Sequence, residues 1–163
     1  MKKVITLFCI VTILIILDNS FIPFFSIKGF YPSLTFIFII SYSIINGIWE
    51  GIWIGVFSGL LQDLYFINAM GINAFTNMIC CILAAFIGKN IFKEKLLIPV
   101  LSEFLLSILK GLILFIIFYA LKMKLNIKPV FASGIYNMII SIVAYRLTLK
   151  LCSLDYMQKD WKF

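Results

Sequence analysis

The stretch LLIPVLSEFLLSILKGLILFIIFYAL, residues 96–121, decides the class of fold. It exceeds the roughly 20 apolar residues that a helix needs to cross a bilayer, and its charged residues are Glu103 and Lys110. The whole chain of 163 residues is similar in character, with 63% hydrophobic residues, 13% charged residues and a mean hydropathy of +1.11. A soluble domain needs more polar surface than this. The sequence therefore predicts an integral membrane protein.

Further apolar segments of this kind run along the chain and predict an all-α bundle of about six transmembrane helices. We place the spans at about 4–25, 33–48, 50–66, 71–88, 96–121 and 129–151. The first span follows Lys2-Lys3 and has no small-x-small cleavage signature after it, so we interpret it as retained. The connections are short, which favours antiparallel neighbours in one membrane domain, residues 1–163.

Basic residues in short loops predict the orientation, because they accumulate on the cytoplasmic side. With the N-terminus inside, the inner face carries more of them than the outer face. The inner set is Lys2, Lys3, Lys89, Lys93, Lys95, Arg146, Lys150, Lys159 and Lys162, and the outer set is Lys28, Lys122, Lys124 and Lys128. Trp49 and Trp53 then lie in the inner aromatic belt. We interpret the net charge of +7 as contact with anionic membrane lipid, not nucleic acid.

Residue types that usually carry chemistry are scarce. Histidine, the commonest metal ligand and general base, is absent. Cys9, Cys80, Cys81 and Cys152 form no Cys-x-x-Cys pair, and we interpret them as small packing residues. The sequence also lacks Gly-x-Ser-x-Gly, a phosphate-binding loop and the paired aspartates of membrane hydrolases and transferases. It therefore favours a non-enzymatic scaffold without catalytic residues, metal or cofactor.

Gly51, Gly55 and Gly59 recur at every fourth position of the third predicted helix. This spacing leaves one helix face without side chains, so that another helix can approach backbone to backbone. The series predicts a helix-packing face, and it leaves open whether the partner helix belongs to this chain or to another.

Asp63 continues the glycine series inside an apolar span, where an acidic group is costly and usually functional. The alternative is an interfacial carboxylate that meets water near the end of the helix. Asp63 and Asn73 are equally far from the centre of the turn at residues 68–71, and Asn77 lies one helical turn deeper. We therefore predict a buried polar cluster of Gln62, Asp63, Asn73 and Asn77, with a role in assembly.

Glu103, Ser107 and Lys110 share one face of the fifth predicted helix, because their spacings are four and three. Counted from the inner ends of their helices, Asp63 lies about 20 Å deep and Lys110 about 21 Å deep. An ion pair between them would explain how each charge is accommodated. Snorkelling of Lys110 to an interface, or a proton or ion pathway, are the alternatives.

Two stretches of this sequence resemble the family of the bacterial rod shape-determining protein MreD. They are Gly51-x3-Gly55-x3-Gly59-Leu60-Leu61-Gln62-Asp63-Leu64 and Gly71-Ile72-Asn73-Ala74-Phe75. Pro32 near the second span, and Asn137 followed by Arg146 in the last, also fit, so that the resemblance covers nearly the whole chain. The chain departs from the family at Ser33, where Asp or Asn is frequent, and around Ile142, where many members have a proline.

The resemblance implies a non-enzymatic subunit of the cell-elongation machinery, or elongasome, in the bacterial plasma membrane. It implies an MreC-like partner and, through that partner, the MreB filament, RodA and a penicillin-binding transpeptidase for peptidoglycan synthesis. The family also looks distantly like the substrate-binding subunits of energy-coupling-factor transporters, which are six-helix bundles. A small-molecule-binding subunit, with Asp63, Asn73 and Asn77 lining its pocket, is therefore the alternative.

Overall fold

The computed structural model describes residues 2–26, 31–64, 71–90, 96–120, 122, 128–155 and 157. It is an all-α bundle, and no strand occurs in these ranges. The six helices are α1 (Lys2–Ser20), α2 (Leu34–Asn46), α3 (Ile48–Asp63), α4 (Ile72–Lys89), α5 (Leu97–Ala120) and α6 (Lys128–Cys152). A short 3₁₀ helix, Ile22–Phe25, follows α1. The all-α fold class that the sequence predicts is confirmed.

The helices correspond one to one to the predicted segments. The main difference lies in the first, where α1 ends at Ser20 and Pro23 falls in the 3₁₀ helix. Four helices among the described residues are long and apolar enough to cross a membrane: α1, α4, α5 and the part of α6 from Val130 to Cys152. The apolar α2 is shorter. The chain is thus a multi-pass membrane protein. Residues 65–66, 68–70 and 121, part of the predicted spans and turn, lie outside the described ranges.

Local sequence explains where the helices of the first half begin. Ser33, in extended conformation, precedes α2, and its hydroxyl accepts a hydrogen bond from the backbone N–H of Phe36, which satisfies a donor of the first helical turn. Gly47 separates α2 from α3 with φ of 94°, and Gly71 precedes α4 with φ of 95°. Both angles strongly favour glycine, so these glycines set the two sharp changes of direction.

Helix α2 lies at the centre of the bundle and contacts each of the other five helices. All its residues from Thr35 to Ile44 are buried. Around it the core is completed by other helices, for example by Cys80 of α4 and Tyr145 of α6. The position of α2 therefore determines how the other helices, and the polar groups that they carry, meet.

Helix α1 lies at the periphery and packs against α2 and α3. Within the described ranges it does not pack on α6, and a cleft of about 390 Å³ separates the two helices. Leu14, Phe38 and Leu147 are among the apolar residues that line this cleft. Most of the large exposed side chains of α1, α5 and α6 are likewise apolar, as expected of helix faces in contact with lipid. The charged exceptions, near the helix ends, are Lys2, Arg146 and Lys150.

Candidate functional site

The glycine face of α3 packs against other helices of the same chain. A Cβ atom placed on Gly59 would lie 2.3 Å from the Cα atom of Ala74 in α4. A Cβ atom on Gly55 would lie 3.1 Å from the carbonyl oxygen of Asn77, and one on Gly51 2.8 Å from Oγ of Ser43 in α2. The contact is closest at Gly59, where the backbones of α3 and α4 meet directly.

Gly88 makes a second close approach, which the sequence analysis missed. A Cβ atom at this position would lie 2.1 Å from the carbonyl oxygen of Ile44 in α2. Gly88 lies at the end of its predicted span, next to a charged loop, so that its sequence context indicated only a helix end. The signal available in the sequence was its small size in the last turn of a membrane helix.

Asp63 is only 2% exposed and caps the N-terminus of α4. Its Oδ2 accepts hydrogen bonds from the backbone N–H groups of Gly71 (2.9 Å) and Ala74 (3.1 Å). Its Oδ1 accepts from the backbone N–H (3.1 Å) and the side-chain amide (3.0 Å) of Asn73. A negative charge at this position also complements the positive end of the helix dipole. The carboxylate therefore joins the end of α3 to the start of α4.

Asn77 forms the second half of the polar cluster, deeper in the bundle. Its amide donates to Oε1 of Gln62 (3.0 Å) and to Oγ of Ser58 (3.4 Å). Its Oδ1 accepts a hydrogen bond of 2.7 Å from Nζ of Lys110, and this ammonium group lies 4.7 Å from the centre of the Phe36 ring. Asn77 thus links α3, α4 and α5.

The structure brings Gln62, Asp63, Asn73 and Asn77 together across the α3–α4 hairpin, but the ion pair between Asp63 and Lys110 does not form. The four donors at the start of α4 occupy both oxygens of Asp63. Lys110 instead donates to the amide oxygen of Asn77. The similar depth of the two charges predicted the pair, but the backbone N–H groups at the start of α4 compete successfully for the carboxylate.

Asp18 at the end of α1 plays the same part for α2, and the sequence analysis did not identify this role. Its Oδ1 accepts from the backbone N–H of Leu34 (2.7 Å), and its Oδ2 accepts from the N–H of Thr35 (3.0 Å) and the hydroxyl of Ser33 (3.1 Å). The available signal was an acidic residue at the end of one span, shortly before a Pro-Ser helix start.

Asn137 connects α6 to the same end of α2 and to α5. Its Oδ1 accepts from the backbone N–H of Ser33 (2.9 Å), and its amide donates to Oγ of Ser107 (3.0 Å). Glu103 lies one helical turn from Ser107 but outside this network. It is 1% exposed, and neither carboxylate oxygen has a hydrogen-bond partner. Of the predicted polar residues, Glu103 is the one whose side chain the described part of the chain leaves unbonded.

A buried ion pair joins α1 to α3 at the opposite end of the bundle. Nζ of Lys3 lies 2.5 Å from Oε1 of Glu50, and the hydroxyl of Tyr42 in α2 donates to Oε2 of the same carboxylate. The side chains of Lys3 and Glu50 are 9% and 13% exposed. This ion pair was not predicted, because nothing in the spacing of the sequence indicates which helix α1 contacts.

We expect Glu50→Ala to lower the free energy of unfolding by about 3 kcal/mol, because it leaves the Lys3 ammonium buried without its carboxylate. Replacing both partners, in Lys3→Met/Glu50→Ala, removes both charges and should recover much of the loss. Thermal unfolding of the purified single and double variants measures this coupling. Additive losses in the double variant would show that the pair contributes no coupling energy.

The chain matches the family described as rod shape-determining protein MreD over residues 1–154. A search of curated proteins and a search of solved structures found no match. The family match includes the glycine face, both capping carboxylates and all six helices up to the end of α6. The chain therefore belongs to the rod shape-determining MreD family of membrane proteins.

Proposed function

We propose that this chain is a non-enzymatic scaffold of the cell-elongation machinery, which binds an MreC-like partner and supports lateral peptidoglycan synthesis. Through that partner it would act with MreB, RodA and a penicillin-binding transpeptidase. Family membership supports a role in rod shape. The observation that supports the scaffold role most is that Asp63 holds two helices together. Its carboxylate oxygens accept four hydrogen bonds from donors of its own chain, so they are not available to a ligand.

Two cavities in the described part of the chain favour this scaffold over the small-molecule-binding alternative. Such a subunit needs a pocket with polar groups that face a ligand. One cavity, of about 220 Å³ between α1, α2 and α3, and the cleft between α1 and α6 are lined almost entirely by apolar side chains. Neither is lined by Asp63, Asn73 or Asn77. Asp63 and Asn73 bond to each other across the α3–α4 hairpin, and Asn77 bonds to Gln62 and Lys110. These observations support a role in holding helices together.

Co-purification tests the proposal. Cells that lack their own copy of the gene receive the tagged chain, either unchanged or as Asp63→Ala, and the amount of MreC-like protein retained per folded chain is measured together with cell shape. We expect the unchanged chain to retain the partner and restore rods, and the variant to lose both. Gly134→Ala, whose Cβ would meet only side chains at 3.4 Å or more, is the matched control.

Two outcomes would contradict the proposal. If the unchanged chain restores rods but never retains the MreC-like protein, partner binding is wrong. If Asp63→Ala abolishes rods while the folded chain still retains its partner, Asp63 acts in ligand binding or transport, and the transporter-type alternative gains support.

We propose that both ends of the chain are cytoplasmic. Lys89 ends α4, and Lys122 follows α5, whose 24 residues span about 36 Å at 1.5 Å per residue. In a chain without its native cysteines, an impermeant maleimide should label Lys122→Cys in intact cells, and Lys89→Cys only after lysis. The reverse pattern would show that the orientation is inverted, and labelling of both positions from one side would show that α5 does not span.

A further inference from the structure

Glu103 is an unusual group for the interior of a membrane bundle. It lies on α5 with 1% exposure, and within the described part of the chain neither of its buried carboxylate oxygens has a hydrogen-bond partner. Asp63, in contrast, is equally buried and accepts four hydrogen bonds. Two carboxyl groups of one bundle thus have opposite surroundings.

Among the described residues, no cation forms an ion pair with Glu103. The ionisable groups in its surroundings are Cys80 and Cys81 of α4 and Lys110 of its own helix. The Lys110 ammonium is bound to Asn77, and the thiol of Cys80 lies 3.9 Å from the carbonyl oxygen of Leu106. Helices α2 and α6 also pack against α5. Their described ionisable side chains are Tyr42 on α2 and Tyr136, Tyr145, Arg146, Lys150 and Cys152 on α6, and none of these forms a hydrogen bond with Glu103. The hydroxyl of Ser107, one turn away, accepts from Asn137.

A bare carboxylate in this position would be expensive. An ion that is removed from water without a partner costs several kcal/mol even after the protein relaxes, and the cost is similar inside a membrane. The neutral carboxylic acid carries no charge and avoids most of this cost. A metal ion would need several oxygen ligands around the carboxylate, and the described residues contain no group of three or more Asp, Glu, His or Cys side chains that could hold one.

We propose that Glu103 is a proton-binding site in the interior of the bundle, where the side chain is held as a neutral carboxylic acid. Its ligand is a proton taken up from water when α5 packs against α4. The unfolded chain exposes this carboxyl group to water and releases the proton at neutral pH. Folding is therefore coupled to the uptake of a proton at this residue, and the bundle loses stability as the pH rises.

Infrared spectroscopy of the purified chain tests the proposal directly. A protonated carboxyl group has a carbonyl stretch above the amide band, which shifts in D₂O, and a maltoside detergent contributes no carbonyl signal. We expect this band at neutral pH in the unchanged chain and its loss in Glu103→Gln. Asp155→Asn, which removes a carboxyl group from an exposed position outside the helices, is the control and should leave the band unchanged.

Thermal unfolding provides a second measurement. Glutamine has nearly the shape of the neutral acid, so Glu103→Gln should unfold at the same temperature as the unchanged chain, or higher. Its Tm should also fall less as the pH is raised above the ordinary glutamate pKa of about 4.3. An absent band would overturn the proposal, as would a Glu103→Gln chain that keeps the band. A large fall in Tm for Glu103→Gln at neutral pH would show that the carboxylate is needed as an anion. These measurements use the chain alone, so they are independent of partner binding.

Discussion

Gly59→Ala should prevent α3 and α4 from packing and strongly reduce the amount of folded protein in the membrane. The added Cβ would lie 2.3 Å from Cα and 2.4 Å from the backbone nitrogen of Ala74. Backbone atoms cannot rotate away as a side chain can, so the two helices must separate. Overpacking typically costs about 1–3 kcal/mol, and we expect a loss of about 3 kcal/mol here. Size-exclusion profiles and thermal unfolding of the purified chain measure it.

Other glycines provide the controls. At Gly55 the nearest atoms lie at 3.1 Å, so that Gly55→Ala needs a shift of a few tenths of an ångström and should be milder. At Gly134 they lie at 3.4 Å or more, and alanine should be neutral or stabilising, since it favours helix by about 1 kcal/mol over glycine. If all three variants unfold at the same temperature, the close approach of α3 and α4 does not determine stability.

Asp63→Ala should have an effect of similar size for a different reason. It leaves the N–H groups of Gly71, Asn73 and Ala74 without the acceptor that they have in the bundle. A hydrogen bond to a charged group contributes about 1.5–3 kcal/mol, so we expect a loss of at least about 3 kcal/mol. We also expect α4 to fray at its first turn, which amide hydrogen exchange at residues 71–75 measures.

Asp63→Asn distinguishes hydrogen bonding from charge. Asparagine has one acceptor oxygen, so it can keep about half of the hydrogen bonds. Its NH₂ group would face the remaining N–H donors, with which it cannot form a hydrogen bond. The variant should therefore lie between the unchanged chain and Asp63→Ala. Because Lys110 bonds to Asn77 and not to Asp63, Lys110→Met should not rescue Asp63→Asn. Rescue would show that the two charges are coupled after all.

The α3–α4 hairpin could be predicted closely from the sequence. Glycines at every fourth position have few explanations in a membrane helix other than close packing. Asp63 and Asn73 flank a short turn, so their proximity follows from the antiparallel arrangement of the two helices. Local spacing is sufficient where the interacting residues are near one another in the chain.

The central position of α2 could not be predicted in this way. In a soluble protein, polar residues mark the face that meets water, but in a membrane both the lipid face and the core face are apolar. The buried run from Thr35 to Ile44 is mostly apolar, as are the exposed faces of α1 and α5, so hydropathy does not distinguish them. The contact of Lys3 with Glu50 depends on this packing and was missed for the same reason.

The partners of the buried carboxylates were hidden for another reason. Asp18 and Asp63 bind mainly backbone N–H groups, which every residue except proline carries, so no residue type indicates them. A side chain of opposite charge, such as Lys110, is a partner that residue type does indicate, and it is not the one that Asp63 binds. The isolation of Glu103 could not be predicted at all, because the absence of a partner depends on the position of every helix around it.

The direction of the two carboxylate caps has a consequence for biosynthesis. Asp18 precedes the start of α2 in the chain, and Asp63 precedes the start of α4. A ribosome delivers the N-terminal residues first, so each acceptor is already in place when the N–H groups that it binds emerge. The hairpins α1–α2 and α3–α4 can each close during insertion without a later helix. Lys110 then donates to Asn77, and Asn137 accepts from the N–H of Ser33, and earlier segments have already positioned both of these partners.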